Sequence, residues 1–93
     1  MEQLNESSTP REIFARNLRL VRRLKDISQE QLALDANLSR TYVSEVERAG
    51  RNISIDNMGH LANALGVELK DLLDANMLYG VPPAARQSPR GST

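Results

Sequence analysis

Residues 28–47, "SQEQLALDANLSRTYVSEVE", decide the fold. Ser28 followed three residues later by Gln31 has the form of a capping box, in which a hydroxyl holds the first helical turn and the amide reaches back. Leu32, Ala33 and Ala36 then recur at helical spacing. Asn37 and Leu38 interrupt the run, and asparagine tolerates the left-handed backbone that a tight turn needs. Ser39 caps a further short helix over about residues 40–48, where only Val43 and Val46 are apolar enough to bury. The turn between the two helices is too short for anything but a sharp bend.

Working outward, "TPRE" places Thr9 as a cap, Pro10 at the first helical position and Glu12 three residues after the cap, a strong helix start. Phe14, Leu18, Val21 and Leu24 predict a helix running to about Lys25, which Asp26 can end by turning left-handed. Downstream, "AGRNI" reads as a loop. Ser54 caps a fourth helix with an apolar stripe of Leu61, Ala62 and Leu65, and Gly66 stops it. A last helix over about 69–76 carries Leu69, Leu72 and Leu73. Residues 1–8 lack periodicity and are expected to form a flexible arm. Residues 80–93 are rich in Pro, Gly and Ser and are expected to be a disordered tail, leaving one domain over 9–79.

The expectation is therefore an all-α domain of five short helices, with no strand pattern and no repeat. Ninety-three residues bury one core, and 3% aromatic content makes it an aliphatic one. With no cysteine there can be no disulfide, thiolate metal site or cysteine nucleophile. His60, the one histidine, has no second ligand or nucleophile to serve. Glu45 and Glu47 lie two apart on one helix and diverge. An enzyme, a metal and a cofactor are all unexpected. No apolar run has the length of a membrane span and no signal peptide opens the chain, so a soluble cytoplasmic protein is expected.

Net charge is zero, but its distribution is uneven. Residues 11–51 hold nine Lys/Arg against six Asp/Glu, whereas 52–79 hold Lys70 alone against Asp56, Glu68, Asp71 and Asp74. A phosphate-binding face needs only local positive charge. Two short helices joined by a sharp bend have helix-turn-helix geometry, in which the second helix enters the major groove of DNA with its N-terminal residues. Ser39, Arg40, Thr41 and Tyr42 stand there, with Ser44 and Glu45 one turn on. Arg40 suits guanine, and the Thr41 methyl or Tyr42 ring suits a thymine methyl. Glu45 can accept from cytosine or hold Arg40 or Arg48 in place. Around them, Ser28 and Gln29 at a helix start, with Arg48, Arg51 and Asn52 in the following loop, suit phosphate contacts.

Those residues carry a resemblance. "ISQEQLALDANLSRTYVSEVERAGRNISIDNMGHLANALGVELKDLL" resembles the Cro/C1-type (XRE) helix-turn-helix family, the match extending over roughly residues 12–75. "RTYVSEVERAGRN" is most similar to restriction–modification controller proteins. The resemblance implies a five-helix fold and a transcriptional regulator that binds a near-palindromic double-stranded DNA operator as a homodimer. By motif, Gln29 matches a phosphate-contacting glutamine, Arg40, Thr41 and Tyr42 match base-reading residues, and Arg22 with Glu47 matches a structural ion pair. Asp26 and Asn37 stand where the family usually has glycine, and Glu45 where controllers often have a small residue.

Leu69, Leu72, Leu73, Met77 and Leu78 either complete the core or form an apolar dimer face. Gly59, costly inside a helix by about 1 kcal/mol relative to alanine, would permit close helix approach within the chain or across a dimer. A different class of reading is an antitoxin or interaction module that neutralises a protein partner through the tail.

Overall fold

The computed structural model describes residues 8–77. The expectations for residues 1–7 and for the tail, along with Leu78 as a dimer contact, lie outside them. Five helices follow in order: α1 (Pro10–Leu24), α2 (Gln29–Ala36), α3 (Arg40–Glu47), α4 (Ile55–Leu65) and α5 (Leu69–Leu72). No strand occurs among the described residues.

Four helices start on a hydroxyl. Thr9, Ser28, Ser39 and Ser54 accept from the backbone N–H three residues on, at 2.9–3.1 Å. Each satisfies one of the N–H groups a helix start leaves open. At α1 the box closes in both directions, because Thr9 N–H donates to Glu12 Oε1. At α2 only half of it forms: Gln31 Nε2 donates instead to Asp35 Oδ1 at 2.8 Å, one turn on. Ser28 alone suffices as the cap.

The helix ends share one device. After α1, Ile27 N–H reaches Arg22 O while Asp26 turns left-handed; Leu38 N–H reaches Ala33 O past Asn37, and Val67 N–H reaches Ala62 O past Gly66. The α3 end repeats it with Gly50 N–H on Glu45 O, and there the left-handed residue is Ala49, φ 57°. Sequence alone gives a plain loop here, because the glycine stands one place after the left-handed residue. A left-handed alanine is strained by about 1–2 kcal/mol, partly offset because glycine loses more chain entropy on folding. Ala49→Gly is therefore expected to raise stability by roughly 0.5–1 kcal/mol in urea melts.

The core gathers Phe14, Leu18 and Val21 of α1, Leu32, Ala33 and Ala36 of α2, Val43 and Val46 of α3, Leu61, Ala62 and Leu65 of α4, and Leu72 and Met77. Leu24, expected inside, is 57% exposed. Two steps of three residues rotate it by about 120° from Leu18, off the buried face. A Cβ at Gly59 would meet nothing within 4 Å among the described residues, so close packing within them does not explain that glycine.

The last helix is shorter than its pattern predicts. Asn17, fully buried on α1, donates through Nδ2 to Leu72 O at 3.0 Å and Asp74 O at 2.9 Å. Asp74 Oδ1 accepts from Asn76 N–H, closing a local turn. Those carbonyls are held from the side and not by a continuing helix, and the chain bends to bury Met77.

Candidate nucleic-acid interface

The bend at Asn37 sets α3 against α2, with α2 resting on α4 and α3 on α1 through their apolar faces. Val43 and Val46 point inward, so the first turn of α3 must project its polar residues outward. Arg40 and Thr41 are exposed there, and the Arg40 side chain makes no hydrogen bond or ion pair among the described residues. Ser39 Oγ is occupied as the helix cap, accepting from Tyr42 N–H.

The remaining residues expected to read bases are tied to one another. Tyr42 is half-buried and packs on the core, with its hydroxyl accepting from Asn57 Nδ2 of α4 at 3.1 Å. The Arg51 guanidinium lies over its ring, 4.6 Å from the centroid. Arg51 Nη1 also donates to Glu45 Oε1 at 2.8 Å. Glu45 thus holds neither Arg40 nor Arg48 but an arginine from the next loop. Arg48 Nη1 donates to Ser44 Oγ at 2.5 Å. Asn57 was missed in the sequence because nothing local links it to Tyr42, fifteen residues earlier.

Around this centre sit the residues suited to phosphates. Ser28 Oγ caps α2. Gln29 Nε2 donates one hydrogen to Glu47 Oε1 at 3.1 Å, and the amide's second hydrogen remains for another acceptor. Asn52 Oδ1 accepts from Arg11 Nη2 of α1, a partner the sequence gave no reason to pair with it. Beneath lies the Arg22–Glu47 pair: Arg22 Nε and Nη2 donate to the two Glu47 oxygens at 2.6 and 2.9 Å, with the carboxylate 2% exposed. Arg22 Nη1 donates further to Ile27 O at 2.8 Å. One buried carboxylate therefore joins α1, α3 and the start of α2.

The apolar residues assigned to a dimer face divide. Leu72 and Met77 are buried in the chain's own core, 0% and 2% exposed. The core needed them because α5 closes it beneath α1 and α4. Leu69 is half-buried against the core and Leu73 is 40% exposed. Leu34 and Ile55 are 72% and 70% exposed. No cluster of metal-binding side chains occurs among the described residues, and no helix is long and apolar enough to cross a membrane.

A bent helix pair that projects an unpaired arginine beside further cations defines a helix-turn-helix DNA-binding domain. The helix-turn-helix family profile matches residues 18–72, and the chain belongs to this Cro/C1-type family of DNA-binding transcription regulators, which are not enzymes. Control protein C.BamHI of Bacillus amyloliquefaciens is 48% identical over 63 residues, covering 67% of this chain and 78% of that protein. The crystal structure of restriction–modification controller protein C.AhdI from Aeromonas hydrophila aligns with TM-score 0.65 at 44% identity, over 67% of this chain and 94% of that one. That of the hypothetical transcription factor NHTF from Neisseria aligns with TM-score 0.73 at 42% identity, over 92% and 90% respectively.

Proposed function

We propose that this protein is a sequence-specific regulator of the restriction–modification controller kind, acting in the cytoplasm as a homodimer on a near-palindromic operator. The observation that carries this reading is the exposed, unpaired Arg40 at the first turn of α3, flanked by Thr41 and by Gln29 at the start of α2. Arg40 reads a guanine, Thr41 touches base or phosphate, and Gln29 together with the α2 N–H groups seats a phosphate. One such module touches too few bases to be selective, and a pair would read half-sites about 34–36 Å apart. Leu69 and Leu73 are the residues of the apolar set still available for the partner's face.

Selection from a random duplex pool at two salt concentrations, with sedimentation of the free protein, tests the reading. An inverted repeat bound by a dimer supports it; weak binding without an enriched sequence overturns it. Within that assay, Arg40→Ala is expected to lose about 1–3 kcal/mol of discrimination at one position of each half-site. Gln29→Ala should weaken all duplexes alike and leave the salt dependence unchanged, because the amide carries no charge. An Arg40→Ala variant that weakened every sequence equally would remove the readout role.

A further inference from the structure

Glu45 is a carboxylate on α3 between Arg40 at the helix start and Arg48 at its C-cap, with Arg51 in the loop beyond. Phosphates repel it, and it binds Arg51 at 2.8 Å. Arg51 is held from one further side by Tyr42. Its guanidinium stacks on Tyr42, whose hydroxyl is in turn fixed by Asn57. Two α3 side chains, Glu45 and Tyr42, thus hold the loop arginine, and α4 braces Tyr42 through Asn57.

We propose that Glu45 is a specificity-determining residue: its carboxylate keeps Arg51 on the Tyr42 ring and so lowers affinity for duplexes of the wrong sequence. The inference rests on the DNA-binding reading above. A free arginine binds any phosphate and strengthens all duplexes without distinguishing them. An arginine already paired to a carboxylate and stacked on a ring must leave both before it meets a phosphate. The stacked Arg51 also limits the positions open to the Tyr42 ring, so the same contact steadies a residue at the reading end of α3. Discrimination is a difference of affinities, and it rises when the competing complexes are weakened.

The pair is 47% and 36% exposed, and such pairs add little to fold stability, so Glu45→Gln should leave the fold intact. The test measures wild-type and E45Q protein against the selected operator and a scrambled duplex between 50 and 200 mM salt. Releasing one cation to a phosphate steepens log K against log salt by about 0.9. E45Q should therefore bind the scrambled duplex more tightly at low salt, lose about threefold more affinity than wild type across that range, and show a smaller operator preference. In an Arg51→Ala background the same substitution should leave the salt slope unchanged.

E45Q indistinguishable from wild type on the scrambled duplex would overturn the role. So would an effect of equal size with Arg51 absent, since Glu45 would then be acting as a repelling charge by itself. Loss of preference at one base pair, with the scrambled duplex unaffected, would make Glu45 a base contact instead. A wild-type protein with no operator preference would sink the DNA-regulator reading itself, and this inference with it.

Discussion

Glu47→Ala should unfold most of the domain at moderate temperature. The carboxylate it removes is 2% exposed and accepts from Arg22 twice and from Gln29 once. Arg22, 11% exposed in its side chain, would be left facing a void with its charge uncompensated. Removing one partner of a buried pair costs about 3–5 kcal/mol. A domain of this size has a total stability of roughly 4–10 kcal/mol. The midpoint of thermal unfolding, followed by far-UV circular dichroism, should drop by about 15 °C or more.

A second variant separates structure from charge. Replacing Arg22 by Met and Glu47 by Leu together removes both charges and fills the space, so it should recover much of the loss. DNA binding should return with the fold, short of the share that Gln29 contributes when Glu47 orients its amide. A single Glu47→Ala variant destabilised by less than about 1 kcal/mol would show that the pair does not hold the scaffold.

Asn17→Ala is expected to cost about 2–4 kcal/mol, from one buried and one partly buried carbonyl losing their donor at roughly 1–3 kcal/mol each. The side chain is fully buried and donates to Leu72 O and Asp74 O, while its own oxygen accepts from Arg16 Nη1 at 2.8 Å. Arg16 Nη1 also reaches Met77 O at 3.3 Å. Losing the amide should therefore release residues 69–77 first. Amide hydrogen exchange should accelerate there before it does in α2 and α3. Asn17→Asp keeps the size but sets a charged acceptor against two carbonyls, and it should be at least as damaging. Uniform exchange along the chain would mean that Asn17 does not clasp this segment in particular.

Asn17 also shows how far the sequence could be read. It stands three residues after Phe14 and four before Val21, a core position by helical spacing. A polar residue there signals a buried hydrogen-bonding role, but no pattern says that its partners lie 55 and 57 residues away. The shortened α5 followed from the same blindness. The leucines of residues 69–73 keep helical spacing, and what ends the helix is a side chain arriving from α1. Helix starts were legible because a cap acts on its own neighbours three residues on. Only Gln31 departed from the pattern, taken by Asp35 within the same helix.

The reading surface divides along the same line. That Arg40 and Thr41 face outward follows from Val43 and Val46 facing in, which is helical periodicity and needs no tertiary knowledge. The link from Glu45 to Arg51 crosses from one element to the next. It could not be told from pairing with Arg40 or Arg48, because charge alone does not choose among three nearby arginines. The tie of Tyr42 to Asn57, and that of Asn52 to Arg11, needed α4 and α1 to be placed.

The sequence by itself determined the five helices, the N-terminal caps of the first four, the bend between α2 and α3 and the polar first turn of α3, since each depends on residues within about one helical turn of one another. Tertiary structure alone decided that Leu72 and Met77 belong to the core, where α5 ends, and which arginine Glu45 holds. Those outcomes depend on which surfaces meet when the helices pack, and burial and hydrogen bonding between distant residues are set only at that stage.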